Sequence, residues 1–349
     1  SRLINLYALT HDDIARLFQD WGEPKFRADQ LYKWLYEHRV DNIDAMSSLP
    51  KSLRQRLKAE TTLGALEPVV AQSSRDGTHK RLYRLPDGQL IESVLMPYKD
   101  HRRTACISSQ AGCAMGCVFC ATGQMGFARN LSATEIFEQA MRFAQELEQE
   151  GQRLSNVVLM GMGEPFHNYD AVLEAIHRLM NDLGIGQRHI TVSTVGLVPQ
   201  IRRFADEGLQ VTLAISLHKA TDDERSALMP INKRWNLQEL LSACHYYVEQ
   251  TGRRITFEWA AIAGENDTPA EAHALGRLLT GLHCHVNIIP LNPTGGYAGV
   301  PADTSAINAF IDILDDYGIG ATVRVRRGID IDAGCGQLKS KVISPNEIG

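Results

Sequence analysis

The chain has 349 residues, of which 44% are hydrophobic and 22% charged, and its formal net charge is −5. This composition is typical of a globular protein with a sizeable core, and the length suits one large domain with a smaller one. The charge excludes a protein that attracts nucleic acid over its whole surface, although it leaves room for local basic patches. Seven cysteines, with no signal peptide and no apolar run long enough to span a membrane, argue against a small secreted disulfide-bonded domain, and we expect a cytoplasmic protein.

Residues 1–65 predict a small helical domain. Thr10 is predicted to cap a helix over residues 11–20, and apolar residues at helical spacing predict an amphipathic helix over residues 28–38. A third, short helix is predicted to start at Leu49-Pro50-Lys51.

Residues 66–102 predict a β-meander, with turns at Asp76-Gly77 and Asp87-Gly88, that leads into the next domain. From residue 103 to residue 328 strands alternate with helices, which predicts an α/β fold with a parallel sheet, a partial (β/α)6-type barrel. The predicted helices include 132–149, 169–182 and 236–251, and the predicted strands are 103–109, 156–161, 189–194, 210–217, 255–262, 285–290 and 321–326. Residues 329–349 are predicted to form a C-terminal loop.

Three cysteines at CxxxCxxC spacing follow the first predicted barrel strand, namely Cys113, Cys117 and Cys120. Three thiolates on one short loop can hold three irons of a [4Fe–4S] cluster and leave the fourth iron open. An open iron can chelate S-adenosylmethionine (SAM), and one electron then cleaves the sulfonium to a 5′-deoxyadenosyl radical. The spacing is that of radical-SAM enzymes and predicts radical chemistry rather than polar methyl transfer.

A zinc site is the main alternative for these cysteines. Zinc knuckles usually come in pairs of CxxC or CxxH, and the chain has no second knuckle. Small residues surround the three cysteines, as expected where backbone wraps closely around a cofactor. The pattern therefore favours the iron–sulfur cluster.

Further polar residues follow later strands of the predicted barrel. Gly163 and Glu164 follow the second strand, where glycine backbone and a carboxylate suit the amino group of SAM. Small polar residues suited to a ribose or a carboxylate end or follow three other strands. These are Ser193, Ser216 with the adjoining Leu217 and His218, and Asn292. Each alone is more often a turn or core residue, but the carboxyl ends of parallel strands share one rim, where barrel chemistry collects.

Two cysteines outside the cluster motif also stand out. Cys335 lies near the C-terminus between Gly334 and Gly336, which suggests a loop that approaches something closely. Cys106 lies seven residues before Cys113, and its alternative interpretation is a small buried hydrophobic residue. Two basic stretches each fit either an RNA contact or a solvated surface, one from Arg75 to Arg84 and one from Arg324 to Arg327.

Five segments together resemble the RlmN/Cfr family of radical-SAM RNA adenine methyltransferases, over nearly the whole chain. Within it the chain is more similar to RlmN, because of the sequence of the loop over residues 113–127. The segments are Cys106 to Cys113, Gly161 to Pro165, Ser216 to Ala220, Pro290 to Pro293 and Asp330 to Gln337.

The resemblance implies a role for each of the remaining residues. A first SAM methylates Cys335, and a second SAM on the cluster supplies the radical that takes hydrogen from the S-methyl group. The resulting carbon radical adds to C2 of adenine, an electron-poor carbon without a lone pair, and links the RNA to Cys335. Cys106 then forms a disulfide with Cys335 as the link breaks, and Glu92 matches the family's proton acceptor.

The implied partners are RNA and a reductase. The family acts on an adenosine of the 23S rRNA peptidyl-transferase centre, and whether tRNA is a second substrate stays open. RNA contacts are expected from the N-terminal domain and from Arg324 to Arg327. An electron donor such as flavodoxin is expected, with no membrane partner, and we expect a monomer.

Three alternative functions differ in their products. C8 methylation of the same rRNA adenosine, as in Cfr, uses the same residues. A radical-SAM maturase of a peptide or small molecule would not need the pair Cys106 and Cys335. A zinc-dependent RNA-binding module would bind RNA without turnover and would lack iron and sulfide.

Overall fold

The computed structural model describes residues 3–340, so the last part of the predicted C-terminal loop, residues 341–349, lies outside the described residues. Within residues 3–340 no helix is both long and apolar enough to cross a membrane.

The N-terminal segment confirms the three predicted helices. A capping box fixes the start of the first helix, because the Thr10 hydroxyl accepts from the Asp13 backbone and the Asp13 carboxylate accepts from the Thr10 backbone. The second helix starts two residues earlier than predicted, and the third begins directly after Pro50. The elements are β1 (Ile4–Asn5), α1 (His11–Asp20), α2 (Phe26–Tyr36), α3 (Lys51–Glu60) and β2 (Thr61–Thr62), and β1 pairs with β2 in parallel.

The predicted meander forms and continues the barrel sheet. Its strands are β3 (Glu67–Ser73), β4 (His79–Arg84) and β5 (Leu90–Pro97), and they pair in antiparallel order. Gly77 and Gly88 occupy the two predicted turns. β5 then pairs antiparallel with β6 (Arg103–Cys106), so the meander adds three strands to one edge of the main sheet.

A hairpin and a short helix follow β6 before the alternating pattern begins. They are β7 (Gln110–Gly112), α4 (Ala121–Met125) and β8 (Phe127–Asn130). The first barrel strand therefore ends at Cys106 rather than at residue 109. The Gln139 side chain explains this end, because it accepts from the Ser108 backbone N–H and donates to the Ser108 carbonyl, each at 2.8 Å. The backbone N–H and carbonyl of Ser108 are therefore bonded to a side chain and do not pair with a neighbouring strand.

The rest of the chain alternates between helices and strands, as predicted. The elements are α5 (Ala133–Gln149), β9 (Asn156–Leu159), α6 (Tyr169–Asn181), β10 (Ile190–Thr194), α7 (Val198–Asp206), β11 (Thr212–Ser216), α8 (Asp222–Leu228), α9 (Leu237–Thr251), β12 (Ile255–Ala261), α10 (Pro269–Leu279), β13 (Cys284–Pro290), α11 (Thr304–Asp316) and β14 (Gly320–Val323). β12 is buried at every position, as expected for a parallel strand covered on both faces.

The ten-stranded sheet runs in the order β14-β13-β12-β11-β10-β9-β6-β5-β4-β3, and β6 and β9 to β14 are parallel. The sheet is curved, as a contact between residues that follow β5 and residues that follow β14 shows. The Arg327 guanidinium lies 4.7 Å from the centre of the Tyr98 ring. The predicted α/β partial barrel is confirmed, and its open side lies between β14 and the meander.

Candidate active site

A cavity of about 210 Å³ opens at the carboxyl ends of the parallel strands. The common direction of the strands brings most of the predicted residues there, because β6 and β9 to β13 all end at this rim. Of the predicted site residues, Leu217 and Glu92 do not line the cavity. Those that do are Cys106, Cys113, Cys117, Cys120, Gly163, Glu164, Ser193, Ser216, His218, Asn292 and Cys335.

The loop with the three motif cysteines is folded tightly at one side of the cavity. Gly112 precedes it with φ of +75°, and a Cβ there would lie 2.0 Å from the Gly126 carbonyl oxygen, so only glycine fits. The Cys113 backbone N–H donates to the same oxygen at 2.8 Å, and Cys120 N–H donates to the Cys117 carbonyl at 3.2 Å. All three cysteines line the cavity.

The donor set fits an iron–sulfur cube. Within residues 3–340 no three His, Cys, Asp or Glu side chains converge on a point that one metal ion could occupy. A cube needs no such convergence, because each of its thiolates binds a different iron. Burial raises the pKa of the Cys113 thiol to about 12 and also raises that of Cys117. Iron binding would have to overcome this, since the ligand is the thiolate.

Glu164 lies next to the cluster loop in the cavity wall. Its carboxylate accepts from the backbone N–H of Phe166 at 3.1 Å and of Val195 at 2.9 Å. Within residues 3–340 it forms no ion pair with Lys, Arg or His, and burial raises its pKa to about 7. A bound ammonium would supply the missing cation and hold the carboxylate ionised.

The predicted ribose and carboxylate contacts line the same cavity as Glu164. The hydroxyls of Ser193 and Ser216 are 3.5 Å apart. Asn292 donates to the Cys335 carbonyl at 3.0 Å, while its buried Oδ1 accepts no hydrogen bond within the described part of the chain. A buried acceptor without a donor is costly, so this atom fits a ligand that brings its own donor.

His218 is a buried residue that also lines the cavity. Its Nδ1 accepts from the Ala260 backbone N–H at 2.9 Å, so the ring is neutral. Its φ is +62°, in the left-handed region that Asn also tolerates. Burial lowers the pKa of His218 from 6.5 to about 3.

This burial predicts a pH dependence of stability. As pH falls below 6.5, His218 becomes protonated in the unfolded chain but stays neutral in the folded chain. The free energy of unfolding therefore decreases between pH 6.5 and 3. From pH 7 to pH 5 the loss at this site is about 2 kcal/mol. In the His218→Asn protein, whose Oδ1 can replace Nδ1, this loss should vanish. Urea unfolding of both proteins at pH 7 and pH 5 measures it, and a pH-independent difference between them would contradict it.

The residues 328–340, here called the Cys335 segment, run along the cluster loop. The Ala121 N–H donates to the Gly336 carbonyl at 2.7 Å, and the Thr122 hydroxyl donates to the Leu338 carbonyl at 2.6 Å. These bonds bring Cys335 to the cavity that the cluster cysteines line. Cys335 is exposed, and Cys106 is buried at the end of β6.

The predicted disulfide is not present. All seven cysteines are free thiols, so Cys106 and Cys335 are not joined in this structure. Burial raises the pKa of the Cys106 thiol to about 12. Cys106 is therefore held protonated in this structure, whereas disulfide formation starts from a thiolate.

Sequence reasoning missed Glu258, which faces the cavity from the middle of β12. Its carboxylate accepts from Asn287 at 3.2 Å and pairs with Arg324 at 3.4 Å. Burial disfavours the charge on Arg324, but Glu258 and Cys335 outweigh it and raise the Arg324 pKa. A lone carboxylate inside an apolar strand was the signal available. Arg324 was predicted only as an RNA contact, yet it lies inside the cavity.

Glu92 lies behind the cavity, in the meander. Its carboxylate pairs with Lys80 at 3.1 Å and accepts from the backbone of Lys339 at 2.9 Å and of Ser340 at 3.3 Å. Both side chains are buried. Lys80 is therefore not part of a basic surface, so the predicted basic stretch from Arg75 to Arg84 is not continuous. The role of Glu92 as proton acceptor stays a prediction.

Comparison with known proteins agrees with this geometry. Residues 107–275 match the Radical SAM superfamily, and residues 4–63 match the ribosomal RNA large subunit methyltransferase N-terminal domain. The dual-specificity RNA methyltransferase RlmN 1 of Myxococcus xanthus (strain DK1622) is 52% identical over 341 residues, which cover 97% of this chain and 95% of that protein. The probable dual-specificity RNA methyltransferase RlmN of Staphylococcus aureus (strain MW2) is 46% identical over 340 residues, 97% of this chain and 93% of that protein.

A solved structure extends the match to three dimensions. The crystal structure of a radical SAM methyltransferase from Sphaerobacter thermophilus superposes with a TM-score of 0.92 at 48% identity, and it covers 97% of this chain and 100% of that one. The chain therefore belongs to the RlmN family of radical-SAM RNA methyltransferases.

Proposed function

We propose that this protein methylates C2 of adenine in RNA through an S-methyl group on Cys335. The observation that carries the proposal is the position of two further thiols, Cys335 and Cys106, on the same cavity as the three cluster cysteines. A cluster alone would serve many radical reactions. Methyl transfer through a cysteine needs in addition one thiol that carries the methyl group and a second thiol that breaks the link to RNA. The names of the relatives, dual-specificity RNA methyltransferases, support RNA as the substrate class.

The bound cofactors, a [4Fe–4S] cluster and SAM, would supply the methyl group and a 5′-deoxyadenosyl radical. Cys113, Cys117 and Cys120 would hold the cluster. Glu164 would hold the SAM ammonium, and the Oδ1 of Asn292 would accept from SAM. Ser193 and Ser216 would contact its ribose or carboxylate, with Gly163, Leu217 and His218 shaping the wall.

Cys335 would then carry the chemistry to RNA. Its S-methyl group would lose a hydrogen atom to the radical, and the resulting carbon radical would add to C2 of adenine. The aromatic ring would be restored when the C2 hydrogen leaves as a proton and one electron passes to the oxidised cluster. Glu92, by resemblance, would receive that proton.

Cys106 would complete the turnover. Its thiolate attacks the sulfur of Cys335, an S–S bond forms, and the S–CH₂ bond breaks with its electron pair moving to carbon. A proton then gives the methyl group, and a reductant must restore the two thiols. The Arg324 guanidinium opposes the high pKa of the Cys106 thiol, although the effect of burial outweighs it.

The substrates we propose are 23S rRNA and tRNA, each presenting an unpaired adenosine. A base stacked inside a helix cannot enter a cavity lined by strand ends, so it must leave its stack. The N-terminal helices and the basic residues Arg326 and Arg327 are assigned to RNA contacts, and an electron donor such as flavodoxin to the reductive step.

Nucleoside mass spectrometry tests the proposal. Enzyme reconstituted without oxygen receives methyl-deuterated SAM, a reductant and either protein-free rRNA fragment or tRNA. We expect 2-methyladenosine with two deuterium atoms, because one deuterium is lost when hydrogen is taken from the S-methyl group. 8-Methyladenosine would instead indicate Cfr-type regiochemistry. SAM cleavage without a methylated nucleoside would mean that the substrate is wrong.

A further inference from the structure

The front end of the Cys335 segment is fastened to the turn between β3 and β4. The Asp330 carboxylate accepts from the Ser74 hydroxyl at 2.5 Å and from the Arg75 backbone N–H at 3.2 Å. In return the Asp76 carboxylate accepts from the Gly328 backbone N–H at 2.9 Å. Each side thus supplies one carboxylate to donors of the other. The hydrogen bond from Ser74 is the main cause that lowers the pKa of Asp330, so the acceptor stays charged.

The rest of the same segment is also fastened to the meander. Before Cys335, the Lys80 ammonium donates to the Asp332 carbonyl at 3.3 Å. At the rear end, the Glu92 carboxylate, which pairs with Lys80, accepts from the backbone N–H groups of Lys339 and Ser340. The Ser340 hydroxyl donates to the Leu90 carbonyl at 2.9 Å. Cys335 therefore lies midway along a segment whose two ends are both anchored on β3 to β5.

Within residues 3–340, the bonds between the segment and the rim are all made by Cys335 and the residues after it. The Cys335 carbonyl accepts from Asn292, the Gly336 carbonyl from the Ala121 N–H, and the Leu338 carbonyl from the Thr122 hydroxyl. The Gln337 amide donates to the Pro293 carbonyl at 3.0 Å. Cys335 itself is flanked by two glycines, which restrict the backbone little. The chain before Cys335 has no such bonds to the rim among the described residues, so its path toward the cavity depends on the contacts of Gly328 and Asp330 with the turn.

We propose that the turn between β3 and β4 is a dock that positions Cys335 in the cavity through its contacts with Asp330. This inference rests on the proposed function, since it takes Cys335 as the methyl acceptor. Asp330 is a positioning residue. It is exposed and does not line the cavity, and it acts only by holding the front of the Cys335 segment. The meander is then part of the catalytic apparatus rather than an extension of the sheet.

The test uses full-length, cluster-containing protein with unmethylated Cys335. In Asp330→Ala, both donors of the turn lose their charged acceptor. We expect about tenfold slower methylation of Cys335 by SAM, read from the mass of the tryptic peptide over residues 328–339, as if the docked fraction fell tenfold. Amide hydrogen exchange should rise in residues 328–340, while the Kd for SAM stays within about twofold. Asp330→Asn, which keeps one acceptor oxygen, should be intermediate.

The matched control is Asp206→Ala, which removes another exposed carboxylate. Asp206 accepts from Tyr246 at the end of α7, on the side of the sheet away from the cavity. The control should methylate and exchange like wild type. Wild-type exchange and methylation in Asp330→Ala would overturn the dock, and so would a loss of SAM binding, because the damage would then reach beyond the segment. Failure of the proposed function would look different, since Cys335 would stay unmethylated in the wild-type protein too.

Discussion

A Cys106→Ala protein supplied with SAM, a reductant and RNA should stop after one turnover as a covalent adduct between Cys335 and the RNA. Once a carbon bridge joins the Cys335 sulfur to adenine, the S–CH₂ bond breaks only if a second thiolate attacks that sulfur. Cys106 is the thiol placed to do so, because it lines the same cavity at the end of β6. We expect multiple turnover to fall at least 1,000-fold, about 4 kcal/mol in the barrier.

A denaturing gel and intact mass spectrometry measure this result. The band should gain the mass of the RNA, and nuclease digestion should leave one adenosine derivative on the tryptic peptide over residues 328–339. Cys335→Ala should give neither adduct nor methylated nucleoside.

Cys284→Ala is the matched control, because Cys284 is also a free thiol but begins β13 at the far end of the sheet. It should turn over like wild type. Normal turnover by Cys106→Ala would remove Cys106 from the mechanism.

A feature of this site could be predicted where residues close in the sequence determine it, and not where distant residues do. The start of α5 follows from a capping box that Ser132 and Glu135 form three residues apart, and the sequence predicts it within one residue. The shared rim is predictable for a similar reason, because parallel strands repeat one direction. Eleven of the thirteen predicted site residues line the cavity, and this rule accounts for most of them, although not for Cys335.

Three of the differences between prediction and structure involve partners that are distant in the sequence. The first barrel strand is shorter than predicted because Gln139 of α5 binds the backbone of Ser108. The sequence predicts Lys80 as a surface charge, but the structure pairs it with Glu92 and with the Asp332 carbonyl. Asp332 lies 252 residues away in the sequence. Glu92 shows the same limit, since backbone from residues 339 and 340 occupies its carboxylate. No local pattern announces such contacts.

A Gly163→Ala protein should fold but lose SAM affinity by about 100-fold, about 2.7 kcal/mol in binding. Gly163 has φ of +101°, and a Cβ there would lie 2.5 Å from the Gln110 Cβ and 2.8 Å from the Gln110 backbone nitrogen. The Gln110 amide oxygen accepts from the Glu164 N–H at 2.8 Å. A methyl group would therefore push Gln110 aside and displace the carboxylate proposed to hold the SAM ammonium.

Gly208→Ala separates this clash from backbone strain. Gly208 also has a left-handed φ, +66°, but a Cβ there meets nothing within 4 Å. Both substitutions force alanine into a disfavoured conformation, at a cost of about 1 kcal/mol or more in stability. Equilibrium SAM binding to the cluster-containing proteins should therefore be lost in Gly163→Ala alone. Equal affinity in the two variants would mean that the Gly163–Glu164 turn does not form the SAM site.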